Sequence, residues 1–227
     1  MLIKNPDKKR EKDNHSSGLN SKEFGVFGSA LNRYKLDRIA KRQKKIYEPR
    51  VDKFQKHHEI AHWTTERGQL TRFSVLSSGI DLNKKVIADV GCGVGDFFRY
   101  LKNQNVCASM HGFDITKSFI EYASSEHPDC WFSEVDVAVE GLPRKYDYVF
   151  SSGIFAFGDR YFFNTVTKNC FDNAVKEYRF NMFRTSSKDF WSIPIEDAVE
   201  HCYKLGASDV RVETGYLGKD YTVYLIK

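Results

Sequence analysis

Cysteine and proline are scarce in this sequence of 227 residues, which contains five of each. The odd number of cysteines, and the absence of any Cys-x-x-Cys pair, disfavour both a disulfide framework and a zinc knuckle. These cysteines are Cys92, Cys107, Cys130, Cys170 and Cys202. The sequence therefore predicts a fold that is held together by an apolar core rather than by covalent links or a metal.

Long hydrophobic runs are also missing. No stretch approaches the roughly 18 consecutive apolar residues of a membrane-spanning helix. Residues 1–11 are charged and lack the apolar segment of a secretory signal. We therefore expect a cytoplasmic protein with no membrane partner.

Apolar and aromatic residues are nevertheless sufficient for a core. Hydrophobic residues make up 41% of the chain and aromatic residues 15%, a composition typical of a soluble globular protein rather than a disordered one. A chain of this length suits one domain with an extension, or two small domains.

Positive charge is concentrated at one end of the chain. Residues 1–60 contain 16 Lys/Arg and 8 Asp/Glu, whereas residues 61–227 carry a net charge of −3. A basic arm of this kind can bind nucleic acid, because neutralising phosphates releases counterions. The acids interleaved with these cations favour the alternative interpretation, a solvated arm without a polyanionic partner.

The first eighty residues lack any strand pattern. Residues 1–23 are polar and aperiodic, which predicts disorder. Apolar spacing predicts a basic helix over 30–46, ended by Pro49, and a helical region from Val51 to Leu76 that is interrupted near Gly68.

Strands and helices alternate after residue 84. We predict seven strands, at residues 86–90, 110–114, 131–135, 146–151, 178–183, 210–212 and 221–226. Such alternation gives parallel pairing through right-handed crossovers, while the last two strands, which have no helix between them, should pair as an antiparallel hairpin. The expected fold is an α/β, Rossmann-like, mostly parallel seven-stranded sheet with helices on both faces and a helical N-terminal extension.

A glycine-rich turn joins the first of these strands to a helix. Gly91, Gly93 and Gly95 follow the buried strand directly, and glycine lets the backbone turn tightly and approach a ligand. The helix N-terminus beyond them offers free N–H groups to an anionic group such as a carboxylate. Asp114 ends the next strand, where a carboxylate can accept hydrogen bonds from both ribose hydroxyls.

The segment Asp89-Val-Gly-Cys-Gly-Val-Gly95 resembles the glycine motif of the class I, Rossmann-like, S-adenosylmethionine (SAM)-dependent methyltransferases. The resemblance extends over about residues 84–227 and includes the closing hairpin. It implies an extension at 1–45 and a methyltransferase domain at 46–227, the latter formed by a helical cover (46–80) and a Rossmann-like core (84–227). It also implies SAM as the cofactor and S-adenosylhomocysteine (SAH) as its product.

The resemblance assigns cofactor-binding roles to residues that match the family's motifs. It implies that the methionine part of SAM lies against the glycine turn, that Asp89 reaches its amino group, and that Asp114 holds its ribose. The implied cofactor residues within these motifs are Asp89, Gly91, Cys92, Gly93, Gly95, Asp114, Ile115, Asp136, Val137 and Ser151, and Trp63 and Arg72 of the preceding segment are added to them.

The preceding segment could complete the site from above. An aromatic face such as Trp63 can lie against a sulfonium, and Arg72 can pair with the methionine carboxylate. The alternative is that Trp63 is core and Arg72 is surface. Residues that we expect at the substrate are Tyr47, His58, Phe155, Tyr161 and Asn181; as a general base, His57, His58, His62 and Tyr161 all remain open.

Two motifs that the sequence lacks reduce the range of methyl acceptors to be considered. The fourth strand ends Phe150-Ser-Ser-Gly-Ile and lacks the Asn/Asp-Pro-Pro-aromatic sequence of enzymes that methylate exocyclic amines of bases or glutamine amides. No cysteine follows a proline, so the covalent route to C5 of cytosine is unsupported. We therefore expect methyl transfer to an O or N atom of a small molecule, such as a sugar or secondary metabolite. The alternatives are a nucleic-acid methyltransferase that uses the basic arm, and an inactive binding partner.

Replacing Asp114 with alanine tests the predicted ribose contact. Asp114→Ala should weaken SAM binding at least several-fold, because two charge-assisted hydrogen bonds would be lost. Isothermal titration calorimetry measures this directly, and an unchanged affinity would remove Asp114 from that role.

Overall fold

The computed structural model describes the backbone from residue 21 and side chains from residue 31, in each case to residue 227. The disorder expected for residues 1–23 falls almost entirely outside the described residues. A seven-stranded sheet dominates the described part of the chain. Its strands are β1 (Val86–Val90), β2 (Ser109–Asp114), β3 (Trp131–Glu134), β4 (Tyr146–Ser151), β5 (Ala174–Phe183), β6 (Asp209–Thr214) and β7 (Asp220–Ile226).

The strand order across the sheet is β3-β2-β1-β4-β5-β7-β6. Strands β1 to β5 pair in parallel, whereas β7 pairs antiparallel with both β5 and β6. Because the order reverses at β1, the carboxyl ends of β1, β2 and β4 open a crevice there, the usual ligand position in such sheets. The predicted fold class, including the antiparallel hairpin, is confirmed.

Nine helices are assigned among the described residues. They are α1 (Ser21–Tyr47), α2 (Arg50–Lys53), α3 (His57–Ile60), α4 (Glu66–Ser77), α5 (Asp96–Asn103), α6 (Lys117–Glu126), α7 (Val137–Glu140), α8 (Arg160–Asn173) and α9 (Ile195–Lys204). None of these described helices is long and apolar enough to cross a membrane.

Two apolar clusters cover opposite faces of the sheet. On one face, α4 and α5 pack against β1 and β4 through residues such as Phe73, Phe97 and Ile87. On the other face, α7, α8, α9 and Leu36 of α1 pack against the same strands through residues such as Val149. Neighbouring strand residues belong to different clusters because side chains alternate between the two faces.

The predicted interruption of the helical region near Gly68 lies slightly earlier, at residues 61–65. Gly68 lies in the first turn of α4, where its backbone N–H donates to Oγ1 of the N-cap residue Thr65 at 3.1 Å. This cap stabilises a helix start at that point. The breaks come earlier instead, on either side of the short helix α3.

Arg179 of β5 attaches the helical cover to the sheet. Its side chain is buried, donates to the carbonyl oxygens of Leu76 (2.9 Å) and Ser78 (2.7 Å), and pairs with Glu177 at 2.7 Å. These bonds fix the C-terminal end of α4, so they also fix the direction in which the helix runs over the crevice.

Replacing Arg179 with methionine should destabilise the protein by about 3 kcal/mol, because Glu177 and two carbonyl groups would lose their partners. Urea unfolding measures this loss. The control is Arg211→Met on β6, where the exposed pair with Asp209 should contribute less than about 1 kcal/mol. Equal effects of the two substitutions would contradict the anchoring role of Arg179.

Candidate functional site

The glycine turn bends back over the neighbouring strand. Gly91, Gly93 and Gly95 have positive φ angles of 74°, 56° and 83°, a region that side chains disfavour. The N–H groups of Gly91 and Cys92 both donate to the carbonyl oxygen of Phe113 in β2, at 2.7 and 3.1 Å. These bonds hold the turn beside the end of β2.

Gly93 leaves space that a side chain would fill. The nearest atom to a Cβ built at this position belongs to Phe119, 3.9 Å away. Its N–H donates to Asp114 Oδ2 at 3.0 Å, and Asp114 Oδ1 accepts from the N–H of Thr116 at 2.9 Å. Gly95 differs, because a Cβ there would come within 2.7 Å of His127, so this glycine allows helix packing.

A cavity of about 820 Å³ extends from this turn to the aromatic segment that follows β4, residues 154–162. That volume lies within the range of about 300–1,000 Å³ typical of small-molecule sites. Most residues that the sequence assigns to the cofactor or substrate line it. They are Tyr47, Trp63, Arg72, Asp89, Gly91, Cys92, Gly93, Asp114, Ile115, Asp136 and Val137.

Other predicted residues lie behind the cavity wall. Ser151 is fully buried and accepts from the Tyr178 hydroxyl at 3.1 Å, and Phe155 packs in the core. Asn181 accepts from the N–H of Gly153 at 3.0 Å and so supports a loop that lines the cavity. Gly95, His58 and Tyr161 also lie outside the cavity lining. Direct ligand contact by any of these six residues remains a prediction.

Five aspartates line the cavity, and three of them, Asp89, Asp96 and Asp114, lie in or beside the glycine turn and the end of β2. Asp89 ends β1 and is 3% exposed, with no hydrogen-bond or ion-pair partner for its carboxylate among the described residues. Burial, together with the charges of Asp114 and Asp96, raises the pKa of Asp89 to about 8. Burial also raises the pKa of Asp114. A cationic ligand would relieve this repulsion.

Asp96 is the best-connected of the three. Its Oδ1 pairs with Arg99 at 2.6 Å and with His57 Nδ1 at 3.0 Å, and its Oδ2 accepts from Gln69 Nε2 at 2.7 Å. The Tyr122 hydroxyl lies 3.3 Å from the other nitrogen of His57. Through these contacts the cover helices α3 and α4 are joined to the core helices α5 and α6.

Sequence reasoning missed both Asp96 and Gln69. Gln69 is polar but lies four and seven residues before Phe73 and Leu76, on the apolar stripe of α4. A glutamine on such a stripe is a signal that could have been found. Asp96 directly follows the glycine turn, and nothing local distinguishes it from an ordinary residue of a first helical turn.

The cover contributes an aromatic ring, Trp63, and a cation, Arg72, to the cavity wall. The Arg72 guanidinium lies 4.4 Å from the ring centroid of Trp63 and pairs with Asp220 of β7 at 2.5 Å. Trp63 in turn packs against Gly153, where a Cβ would approach its ring to 2.6 Å. Trp63 and Arg72 thus make structural contacts and also line the cavity, and contact of either residue with the cofactor stays a prediction.

Among the four candidate bases, only His62 lines the cavity. Its ring stacks on Phe157 with centroids 5.9 Å apart, and its backbone has a positive φ of 64°. Burial and the nearby charge of Arg50 lower the pKa of His62, which favours the neutral imidazole. His57 is engaged by Asp96 and Tyr122 instead.

Comparison with known proteins agrees with this arrangement. Residues 88–168 match the model of a family described as "Methyltransferase domain". A curated protein, "Putative methyltransferase 235L" of Invertebrate iridescent virus 6, is 33% identical over 69 residues. That match spans 30% of this chain and about a quarter (26%) of the viral protein.

Solved structures match over most of the chain. The SAM complex of magnesium protoporphyrin IX methyltransferase (ChlM) from Synechocystis PCC 6803 has a TM-score of 0.61 at 14% identity, and the match covers 83% of this chain and 97% of that one. The "DhpI-SAM-HEP complex" has a TM-score of 0.64 at 13% identity, with 85% and 98% covered. At these identities the likeness shows a shared fold.

Fold and glycine turn together define a Rossmann-like domain of the methyltransferase type. The match of residues 88–168 to a methyltransferase domain agrees with this, and the predicted resemblance to the class I SAM-dependent methyltransferases is confirmed. The predicted cofactor agrees with these neighbours, which were crystallised with SAM or SAH.

A valine at position 93 tests whether the turn lines the ligand site. Gly93→Val should abolish detectable SAM binding by calorimetry, because the side chain would project into the cavity. The control is Gly206→Val, which introduces a similar backbone strain (φ 90°) at the end of α9, where a Cβ meets no atom within 4 Å. Normal SAM binding by the Gly93 variant would exclude the turn from the site.

Proposed function

We propose that this protein transfers a methyl group from SAM to an O or N atom of a small molecule. The observation that carries this proposal is the cavity between the glycine turn and the aromatic segment after β4. The buried, unpaired carboxylate of Asp89 lies at one end, beside the open space at Gly93. A ligand with positive charge and a hydroxylated sugar satisfies the groups at that end.

The residues present fit SAM group by group. Asp89 would meet its ammonium group, Asp114 its ribose hydroxyls, and the backbone of Gly91 to Gly93 its methionine chain. Ile115, Asp136 and Val137 line the cavity beyond Asp114, on the side proposed for the adenine. Bound there, SAM supplies a methyl group that is attached to a positively charged sulfur. When the methyl group is transferred, the sulfur is the leaving group and becomes a neutral thioether.

The other end of the cavity is proposed to hold the acceptor. It is largely aromatic, and an apolar enclosure of this kind excludes water and aligns an organic acceptor. His62, whose neutral imidazole can accept a proton, is a base for a hydroxyl acceptor; a nitrogen acceptor needs only an available lone pair. The lining residues at this end include Ile154, Phe157, Phe162, Phe183 and Phe190.

A second candidate function is methylation of a nucleic acid. Lys35, Arg38, Arg42 and Lys45 are exposed on α1 at helical spacing, and Arg42 lies over the ring of Phe157, a cavity residue. A row of cations that reaches the cavity mouth supports a polyanionic acceptor. The third candidate, an inactive binding partner, is disfavoured by the open glycine turn.

Labelled SAM distinguishes these functions. The protein is incubated with labelled SAM and cell extract, and half of the product is digested with nuclease. Label in small molecules that resists nuclease supports the first proposal, whereas label released by nuclease supports the second. In the second case, Lys35→Glu with Arg38→Glu and Lys45→Glu should reduce RNA affinity and its salt dependence. Absence of SAM binding would contradict both.

Asp89 should release its proton when the ligand binds. With a pKa of about 8 it is largely protonated at pH 7, and an adjacent ammonium favours the ionised form and lowers that pKa. Calorimetry of SAM binding in phosphate and in Tris at pH 7 should show release of about one proton per ligand. Asp89→Asn should lose this release. Equal enthalpies in the two buffers for the unmodified protein would contradict a direct contact.

A further inference from the structure

Gln69 of α4 presents an unpaired acceptor to the cavity. Its side chain is 2% exposed and lines the cavity. The amide nitrogen donates to Asp96 Oδ2 at 2.7 Å, and Asp96 in its ionised form can only accept. That bond fixes which way round the amide lies, so Oε1 is the end left for another partner. Among the described residues, no donor reaches Oε1.

The surroundings of Gln69 favour a positively charged donor. The carboxylates of Asp89, Asp96 and Asp114 face the same cavity, and burial together with the charges of the other two raises the pKa of Asp89. Arg99 and His57 compensate Asp96, but no cation pairs with Asp89 among the described residues. Gln69 bonds to Asp96, and the charge of Asp96 acts on Asp89, so both acceptors lie in the same part of the cavity, which suits an ammonium group.

Arg72 lies three residues further along the same helix and also lines the cavity. Side chains at this spacing are neighbours on a helix surface, about 5–6 Å apart at Cβ. Helix α4 thus presents an acceptor and a cation side by side, complementary to the ammonium and carboxylate of an α-amino acid. Arg72 is shared with Asp220, so its orientation is fixed before any ligand arrives.

We propose that α4 of the helical cover recognises the amino-acid end of the ligand, with Gln69 accepting from its ammonium group and Asp96 acting as the positioning residue for Gln69. This inference rests on the proposed function, since it assigns a further residue to the SAM site. It makes the cover part of the binding site, together with the glycine turn and Asp89.

Two probes separate this role from a structural one. SAH carries the complete amino acid, whereas 5′-methylthioadenosine keeps the adenosine and sulfur but lacks the ammonium and carboxylate groups. In the Gln69→Leu variant, SAH affinity measured by calorimetry should fall about tenfold, because a hydrogen bond to a charged group is lost. Affinity for 5′-methylthioadenosine should change less than about twofold, since that probe makes no contact with Gln69.

Two further variants sharpen the test. Gln104→Leu, an exposed position at the end of α5, is the matched control and should leave both affinities unchanged. Asp96→Asn should also weaken SAH selectively, because an asparagine can bond to either end of the Gln69 amide and no longer fixes its orientation. Thermal unfolding of each variant confirms that the fold is intact.

The outcomes are distinct. A selective loss of SAH affinity supports the proposal. Unchanged SAH binding in Gln69→Leu, or an equal loss for both probes, overturns it while the proposed function stands, provided that the unmodified protein binds SAH. An unmodified protein that binds neither probe overturns the proposed function and this inference together.

Discussion

The placement of three aspartates at one end of a single cavity, two of them buried and one half-buried, is the constraint on which the rest of the site depends. Asp89, Asp96 and Asp114 reach the same cavity because parallel strands and the helix that follows the glycine turn all direct their ends to one edge of the sheet. Such charges are costly to bury unless they are paired or hydrogen-bonded. Asp114 accepts hydrogen bonds from two backbone N–H groups, and Asp96 is surrounded by donors. Asp89 is the carboxylate of the three that has no partner among the described residues, and its pKa is raised.

The helical cover is stabilised by contacts with this same set of charges. Asp96 binds His57 and Gln69, which belong to two different cover helices, and Arg179 holds the far end of α4 against the sheet. These polar contacts, together with the packing of Ile60 against Val94 and Phe119, explain how a helix of only four residues, α3, keeps a defined place. The pre-positioned cover lowers the entropy cost of ordering side chains around a ligand.

The core was largely predictable from the sequence, and the cover was not. Strand β1 and the glycine turn have a strong local signal, because apolar residues run directly into three glycines and Asp114 follows at the end of the next strand. Strand β5 begins at Ala174, whereas the predicted start was 178. The prediction missed its first residues because Val175 to Glu177 are partly polar and show no alternation. The breaks around α3 depend on Arg50, which donates to the carbonyl oxygen of Ile60 at 2.8 Å, and no periodicity in the sequence reveals such a contact.

The two ends of the cavity differ in which segments form them, and this bears on how the protein selects its acceptor. The glycine turn, Asp89 and Asp114 all lie within the matched domain, residues 88–168, which the family shares. The aromatic end also draws on residues outside that range, including His62 before it and Phe183 and Phe190 after it. Segments that surround a fixed cofactor site can vary without disturbing the sheet. Under the proposed function, selectivity for the acceptor is therefore assigned to the cover and to the segment between β5 and α9, and the reaction type to the core.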